Sequence, residues 1–294
     1  MPTPAPPPAF SLPPGIRLLR LKFRLLSAIS TEWAFAEAWK LFTTPRQLPQ
    51  KGWEAAVLAS ARQFTVTSSN TDIVAYEWNP AGKHMVLLVH GWEHRASFWG
   101  ILVQALVAAG YRVVALDGPA HGASGGTRTT LPAFARAVQA VADAAGPVYG
   151  VVAHSFGGAA TVGVPVQFNQ LQGGRLPRLV LLAVPGSTTA VAQRFTALLQ
   201  LPAAVVQRMG RHIRQQHGRD AESFSLVQVG HRFPTEKALL LHDRQDESIP
   251  FAEAQEVADS WPGLDFRATV GLGHNRIMRD PQVLRQIVDF LGAS

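Results

Sequence analysis

The stretch VYGVVAHSFGGAAT, from Val148 to Thr161, decides the fold of this chain. Its apolar run ends at His154, a serine follows, and two glycines then open a segment of small residues. An apolar run of this length that stops at a turn is typical of a buried strand, and the longer segment behind it suits a helix. The stretch therefore predicts a strand, a tight turn at Ser155 and a helix.

The same alternation of strand and helix patterns extends from about residue 64 to the end of the chain. The segments that predict strands are RQFTVTS, DIVAYEWN, MVLLVHG, YRVVALDG, PVYGVVAH, LPRLVLLAVPG, KALLLHD and LDFRATVG. Helical patterns separate most of them, and two late helices begin near Pro250 and Pro281. Strands that alternate with helices predict an α/β fold with a mostly parallel, doubly wound sheet.

The alternation also suggests where the domains divide. Residues 186–235 contain helical stretches such as TAVAQRFTALLQL and no clear strand, so we expect an inserted helical cap there. Residues 64–185 and 236–294 then form the α/β core. Residues 1–63 form a proline-rich leader followed by N-terminal helices, and charges interrupt the leader too often for a signal peptide.

Composition narrows the class of protein. The 294 residues include no cysteine, which excludes disulfides, thiolate metal sites and cysteine nucleophiles. This absence, and the lack of an apolar stretch of about 18 residues, predict a cytoplasmic protein without a membrane span. The net charge is +7: residues 1–63 carry eight basic and three acidic side chains, residues 186–235 carry six and two, and the remainder carries a net −2. The basic residues do not gather with aromatics on one reading element, so no nucleic-acid partner is expected.

The first helix, IRLLRLKFRLL, has two interpretations. Its basic residues Arg17, Arg20 and Arg24 share one helical face, and Ile16, Leu19, Phe23 and Leu26 lie largely opposite. The favoured interpretation is a helix packed on the protein with a solvated basic face. The alternative is peripheral contact of this helix with an anionic membrane. The basic cap segment RMGRHIRQQHGR is likewise interpreted as a solvated face, or, if it faces a pocket, as a preference for an anionic substrate.

The turn AHSFG, from Ala153 to Gly157, has the pattern needed to expose a nucleophile. Small neighbours allow a tight turn between strand and helix, and the N-terminus of the helix favours negative charge that develops at Ser155. A serine hydroxyl also needs a base to take its proton. A phosphate-binding loop is the alternative, but its glycine and lysine spacing is missing here.

Partners for such a serine follow later in the chain. The segment TVGLGHNRI supplies His274 as the base, on a loop after the last predicted strand. The segment LLLHDRQDESIP offers Asp243, Asp246 and Glu247 as the acid that orients this base. We select Asp246, because the acid-x-x-aliphatic-Pro pattern places it on the loop before the next helix, whereas Asp243 lies nearer the strand and is expected to be structural. The order serine, acid, histidine is the one expected for this fold.

An oxyanion hole requires two backbone N–H donors. We expect them from Phe156, directly after the serine, and from Trp92, in the loop after the MVLLVHG strand. The side chains that we expect to line a pocket, with ordinary packing as the alternative, are those of His90, Glu93, His94 and His154. His90 and His94 have the spacing of helical zinc ligands, but Gly91 argues against a helix, so we expect neither a metal nor an organic cofactor.

Taken together, the segments LLVHGW, VALDGPAHGAS, AHSFGG, HDRQDESIP and GLGH resemble the landmarks of the α/β-hydrolase superfamily, in order and over residues 64–294. The resemblance implies the α/β-hydrolase fold with a helical cap and a Ser155–Asp246–His274 triad. Asp117 and His121, in DGPAHGAS, then belong to a structural turn near the site. Serine at position 155 argues against the dehalogenase and epoxide hydrolase types, which use aspartate there.

The function expected from this pattern is hydrolysis of a carboxylic ester or related small acyl compound through an acyl-enzyme on Ser155. Acyl transfer and hydrolysis of a C–C bond are alternatives that use the same triad. A non-catalytic binding protein on the same fold is a third alternative, against which the intact triad argues.

Overall fold

The computed structural model describes residues 14–164, 166–168 and 174–292, so residues 1–13 of the expected proline-rich leader lie outside it. The strands are β1 (Arg62–Ser68), β2 (Thr71–Trp78), β3 (Met85–Val89), β4 (Arg112–Leu116), β5 (Val148–His154), β6 (Leu176–Leu182), β7 (Thr235–Asp243) and β8 (Leu264–Thr269). The α-helices are α1 (Pro14–Ile29), α2 (Thr31–Thr43), α3 (Gly52–Ala59), α4 (Gly100–Ala108), α5 (Leu131–Ala145), α6 (Phe156–Gly163), α7 (Thr188–Leu199), α8 (Ala203–His217), α9 (Leu226–Val229), α10 (Phe251–Ser260), α11 (Gly273–Arg276) and α12 (Pro281–Gly292).

The eight strands form one sheet in the order β1-β2-β4-β3-β5-β6-β7-β8. The pairs β1–β2 and β2–β4 are antiparallel, and all other neighbouring strands are parallel. Each strand falls within or overlaps a segment that the sequence predicts as a strand. The predicted α/β class, with a mostly parallel, doubly wound sheet, is therefore confirmed.

The central strands are buried on both faces of the sheet. Along β3, Leu87 and Val89 belong to one apolar core, and Val86 and Leu88 belong to another. Successive side chains of a strand point to opposite faces, so each layer of helices packs on every second residue. This burial explains why β3 and its parallel neighbours are continuous apolar runs in the sequence. The carboxyl ends of these strands meet at one edge of the sheet, where such folds place their sites.

The chain divides into two compact units, one helical and one built on the sheet. The helical unit comprises the described residues up to Phe42 together with Ala190–Asp220. The sheet unit comprises the described parts of Thr43–Thr189 and Ala221–Ser294. The sequence places the leader and the cap in separate domains and draws their limits at 63, 186 and 235. In the structure α1 and α2 instead cluster with most of the cap.

The helical unit is held together by an apolar cluster of its own. Phe23, Phe35, Leu199 and Met209 are buried in it, each from a different helix. Aliphatic and aromatic faces that meet in this way remove apolar surface from water, which explains why two distant segments of the chain join. Within this unit the expected solvated face of the basic cap segment is seen at the exposed Arg211, Arg214 and Arg219. None of the described helices combines the length and hydropathy needed to cross a membrane.

Candidate active site

Ser155 lies at the junction of β5 and α6, at the carboxyl edge of the sheet. Its backbone has φ of +49° and ψ of −122°, a conformation that residues with a side chain rarely adopt. The Ser155 N–H donates to the Leu182 carbonyl of the adjacent β6 at 2.9 Å, which fixes the turn against the sheet. The predicted strand, tight turn and helix are therefore present, and the turn carries the strained geometry typical of an exposed nucleophile.

The glycines around this turn are needed for close packing. A Cβ added to Gly157 would lie 2.3 Å from the carbonyl oxygen of His90, and one added to Gly158 would lie 2.5 Å from the side chain of Val184. A Cβ added to Gly91 would lie 2.8 Å from Nδ1 of His154 and 3.1 Å from the Cβ of Ser155. The loop after β3 therefore passes directly beside the serine, a proximity that only the absence of a side chain at Gly91 permits.

Three residues that follow three different strands form a hydrogen-bonded chain, and His274 lies in the short helix α11 where the sequence predicts a loop. The Ser155 hydroxyl lies 3.0 Å from Nε2 of His274, and Nδ1 of His274 lies 2.8 Å from Oδ2 of Asp246. The carboxylate accepts the Nδ1 hydrogen, which leaves Nε2 free to accept the serine proton. The structure thus brings together Ser155, His274 and Asp246, the three residues that the sequence nominates as a triad.

Asp246 is buried and fully engaged. Its Oδ1 accepts the backbone N–H groups of Ser248 and Ile249, each at 2.8 Å, while Oδ2 accepts from His274. Burial alone would raise the pKa of this carboxyl, but the hydrogen bonds from His274 and the two amides outweigh it and lower the pKa below its usual value. The carboxylate therefore stays ionised beside the imidazole.

Asp243 occupies a different position, as the sequence predicts. Its carboxylate accepts from the Gln245 N–H at 2.9 Å, the Thr269 hydroxyl at 2.7 Å and the Leu272 N–H at 3.0 Å. Although burial would raise the pKa of Asp243, these hydrogen bonds lower it. Asp243 thus ties the end of β7 to the loop that precedes His274, and it makes no hydrogen bond to His274 itself.

The two amides expected to form an oxyanion hole are both available. In the described part of the chain, neither the Trp92 N–H nor the Phe156 N–H donates to a protein acceptor. The Trp92 ring packs edge-on against the Phe156 ring with centroids 5.1 Å apart, so the two residues lie side by side. The Phe156 N–H opens α6 directly after Ser155, and Trp92 lies in the turn after β3. Their role as an oxyanion hole stays a prediction.

Two histidines cross-link the loop after β3, which carries Trp92, to the loop after β4. His90, after β3, donates from Nδ1 to the Gly91 carbonyl at 2.7 Å and accepts the Gly118 N–H at Nε2 at 2.8 Å. His121, after β4, donates from Nδ1 to the Pro119 carbonyl at 2.9 Å and accepts the Glu93 N–H at Nε2 at 3.0 Å. The histidine ring of each loop therefore accepts a hydrogen bond from a backbone N–H of the other loop. We call this pair the histidine cross-link.

Both rings of the histidine cross-link must be neutral, because each uses a bare Nε2 as an acceptor. Burial lowers the pKa of His90 well below its usual value and the pKa of His121 to about 4. His90 is fully buried and both its nitrogens are bonded, so its predicted role in lining a pocket is corrected: it holds loops together. His121 and Asp117 do form a turn, in which Asp117 accepts the N–H groups of Ala96 and Ala123.

The other expected pocket residues have mixed outcomes. His154 is fully buried and donates from Nε2 to the His274 carbonyl at 2.9 Å, so it supports the backbone of the base instead of lining a pocket. The His94 ring stacks on the His154 ring with the two centroids 5.2 Å apart. Burial lowers the pKa of His94 to about 4. Glu93 forms an ion pair with Arg46, in which Nη2 of Arg46 lies 2.6 Å from Oε2 of Glu93.

Sequence reasoning missed Arg46 and the histidine cross-link. Arg46 lies 47 residues before Glu93, in a segment without periodicity, so no local signal links the two. The cross-link joins side chains to backbone amides 28 residues away, which no motif records. The clustering of histidines after β3 and β4 is the one signal that could have suggested it. Among the described residues, no group of three or more His, Asp or Glu side chains is placed to hold a metal ion.

The fold and this arrangement of residues define a class of protein, and comparison with known proteins identifies it. A family model described as the alpha/beta hydrolase family matches residues 86–287. The chain belongs to that family and is an enzyme of the hydrolase type. No curated protein matches the chain.

Solved structures with the same fold include three that illustrate its range. An esterase of Pyrococcus furiosus is 16% identical, with a TM-score of 0.63 over 84% of this chain and 95% of that one. The alpha/beta hydrolase domain-containing protein 10 of mouse is 18% identical, with a TM-score of 0.58 over 78% and 96%. An esterase of a Rhodococcus species is 21% identical, with a TM-score of 0.54 over 80% and 99%. At these identities the likeness shows the fold.

Proposed function

We propose that this protein is a serine hydrolase that cleaves a carboxylic ester or a related small acyl compound through an acyl-enzyme on Ser155. The observation that carries the proposal is the hydrogen-bonded chain from the Ser155 hydroxyl through His274 to Asp246, with distances of 3.0 and 2.8 Å. Nucleophile, base and orienting acid within hydrogen-bond reach are the features of activated serine catalysis. The esterases among the structural neighbours support the same reaction class.

In the first half of the reaction, Ser155 Oγ attacks the ester carbonyl while His274 Nε2 takes the hydroxyl proton. The carbonyl π electrons move to oxygen, and a tetrahedral intermediate forms. The imidazolium is stabilised by Asp246, which remains ionised because its pKa is lowered. His274 then gives the proton to the leaving alkoxide, the C–O bond breaks, and the alcohol departs from the acyl-enzyme.

The negative oxygen of the intermediate is assigned to the amides of Trp92 and Phe156. Neither amide donates to a protein acceptor in the described residues, so both can donate to substrate. The Phe156 N–H is also the first of α6, so the oxyanion would meet the positive end of that helix. Removing one such donor typically costs about 100- to 1000-fold in turnover.

In the second half, His274 removes a proton from water, and the resulting hydroxide attacks the acyl carbon. The bond to Ser155 Oγ breaks, the serine regains its proton from His274, and a carboxylic acid leaves. No step requires a group outside this chain, the substrate and water. If an alcohol or amine replaced water, the same steps would transfer the acyl group to that acceptor.

The test is turnover and covalent labelling by wild type and by Ser155→Ala. The substrates are p-nitrophenyl esters from acetyl to dodecanoyl, and the label is a fluorophosphonate probe. We expect Ser155→Ala to lower kcat by about 10⁴-fold or more and to abolish labelling. The matched control is Ser260→Ala, at the end of α10, which should retain both.

The outcomes separate the alternatives. Labelling and turnover that persist in Ser155→Ala would overturn the assignment of the nucleophile. Labelling of wild type without turnover of any ester would keep Ser155 as the nucleophile and replace ester hydrolysis by acyl transfer or C–C bond cleavage. A wild type that neither reacts with the probe nor turns over an ester would support a binding protein.

A further inference from the structure

Helix α1 has two apolar faces, and only one of them is packed. Phe23 is buried and Leu19 and Leu26 are half-buried in the core of the helical unit. The second face is exposed to solvent. Its members, with their exposed fractions, are Leu18 (68%), Leu21 (49%), Leu25 (57%) and Ile29 (71%). We call these four residues the exposed stripe.

The spacing of the exposed stripe makes it a continuous surface. Its members follow one another by three, four and four residues, so at 100° per residue they lie within about 80° of the helix circumference. The stripe runs about 16 Å along the axis, at 1.5 Å per residue. Single exposed leucines are common on soluble proteins, but a contiguous row of large aliphatic side chains indicates a surface that meets an apolar partner.

Cations flank the exposed stripe on both sides. On the helical circumference Arg17 and Arg24 border one edge and Lys22 borders the other. Arg17, Arg24 and Lys22 are exposed, and Lys22 is paired with Glu37 at 2.6 Å. Trp33 follows Ile29 by four residues, at the start of α2, and is 62% exposed. An aliphatic face with basic borders and a nearby tryptophan is the composition of helices that lie in a lipid–water interface.

The distribution of charge points to an anionic partner. The helical unit contains ten basic and three acidic side chains, and the sheet unit contains seventeen of each. The entire net charge of +7 therefore belongs to the helical unit, and the sheet unit is neutral. A second copy of this chain would bring +7 against +7, which opposes self-association through the exposed stripe. A nucleic acid would satisfy the cations but offers little for four adjacent aliphatic side chains.

We propose that the exposed stripe and its basic borders bind the surface of an anionic lipid bilayer, with α1 lying in the plane of the interface. The four aliphatic side chains would enter the boundary between headgroups and acyl chains, and Arg17 and Arg24 would contact the lipid phosphates. This proposal does not depend on the reaction at Ser155.

Vesicle flotation of the full chain tests the proposal. The vesicles are pure phosphatidylcholine or a mixture with about 30% phosphatidylglycerol. We expect the protein to float with the anionic vesicles and not with the neutral ones, and the bound fraction to fall when salt is raised from about 0.1 to about 0.5 M. Flotation that is equal with both vesicle types, or absent with anionic vesicles at low salt, would overturn the proposal.

Two pairs of variants test the aliphatic and the basic parts separately. Leu21→Ser with Leu25→Ser should weaken partitioning at least tenfold, while Ile101→Ser with Val270→Ser, at exposed positions of the sheet unit, should leave it unchanged. Arg17→Gln with Arg24→Gln should weaken partitioning about tenfold. The control with the same change of charge is Arg128→Gln with Arg285→Gln, both exposed in the sheet unit. Circular dichroism verifies that each variant is folded.

A DNA-binding assay distinguishes a lipid surface from a nucleic acid. Labelled double-stranded DNA replaces the vesicles at the same salt concentration. If wild type binds DNA, does not float with anionic vesicles, and retains DNA binding after Leu21→Ser with Leu25→Ser, the proposed lipid surface is wrong. The proposal is supported if flotation with anionic vesicles depends on the exposed stripe and the wild type does not bind DNA in place of the vesicles.

Discussion

The two units of this molecule use polar groups in opposite ways. Every polar or charged residue that is buried among the described residues belongs to the sheet unit, including Glu77, Asp117, Asp243 and Asp246. The helical unit places its charges at the surface, as in the exposed pair of Lys22 and Glu37. Buried polar groups fix positions, because each must find a partner. Exposed cations set a field and a preference for partners without fixing any geometry.

Several buried carboxylates of the sheet unit are held by two or more hydrogen bonds. Glu77, for example, accepts from Arg62 and Arg112 on neighbouring strands, each at 2.6 Å. The loops after β3, β4 and β7 are tied in the same manner by the histidine cross-link and by Asp243. We therefore expect a substitution in the sheet unit to act by displacing groups that buried hydrogen bonds hold in place. A substitution in the helical unit should act through charge or exposed apolar surface, and three predictions test this contrast.

The largest expected effect concerns Asp246. Asp246→Asn removes the charge that stabilises the His274 imidazolium and disturbs the tautomer that accepts the serine proton, so kcat on a reactive ester should fall about 10⁴-fold. Glu37→Gln, in the helical unit, removes an equal charge from an exposed pair and should change kcat by less than about twofold. Steady-state kinetics of the two variants measures this difference. Comparable losses of kcat in both variants would contradict the contrast between the two units.

A smaller effect is expected from two glycines that differ in their surroundings. Gly157→Ala places a Cβ 2.3 Å from the backbone oxygen of His90, which cannot move aside, so the free energy of unfolding should fall by about 3 kcal/mol or more. Gly210→Ala, within α8, meets nothing within 4 Å and should raise helix stability by about 0.5–1 kcal/mol. Urea unfolding followed by circular dichroism measures both. Changes of opposite sign in the free energy of unfolding would sharpen the contrast, and destabilisation by Gly210→Ala would contradict it.

The third prediction concerns pH. The usual histidine pKa is 6.5, and the pKa of His121 in the folded protein is about 4. Between pH ~6.5 and pH ~4 the His121 ring is therefore protonated in the unfolded chain and neutral in the folded chain. Stability should therefore fall as the pH drops through this window, with this ring contributing about 2.5 kcal/mol by pH ~4.5 and little more below pH ~4. The loss is measured from urea midpoints at pH ~7 and pH ~4.5.

His121→Asn is the variant that tests this assignment. It should be less stable than wild type at pH ~7, because the Glu93 amide loses its acceptor. Between pH ~7 and pH ~4.5 it should lose less stability than wild type, because no ring remains to be protonated at that position. His84→Asn, at an exposed position of the same unit, should retain the wild-type loss. An unchanged slope in His121→Asn would show that the pH dependence arises elsewhere.

The sequence predicts the sheet well, for a physical reason. Buried parallel strands must be continuous apolar runs, and turns interrupt them, so both kinds of signal are local. The candidate site was predictable because it lies where strands end: Ser155, Asp246 and His274 each follow such a run. Their assembly into one hydrogen-bonded chain is observed, while their catalytic roles stay a prediction. Asp246 could be separated from Asp243 by the pattern of the loop before α10.

Long-range pairings were not predictable. The union of the leader helices with the cap depends on which apolar faces meet, and a helical pattern identifies a face without its partner. The contacts of Arg46 with Glu93, and of His121 with the Glu93 amide, likewise join segments that no local pattern relates. The exposed stripe was visible, since Leu18 and Ile29 belong to a row with helical spacing. It was missed because the basic residues between its members suggested a single solvated face.

The backbone at Ser155 has a consequence for how stability and chemistry trade against each other. A residue with a side chain held at φ +49° and ψ −122° stores about 1–3 kcal/mol that the rest of the fold must offset. Glycine would adopt the same turn without that burden, so Ser155→Gly should melt at a higher temperature than wild type while lacking the hydroxyl. Relieving the backbone strain at position 155 would thus also remove the hydroxyl that the proposed reaction needs. A stability screen conducted without an activity assay would therefore select against Ser155.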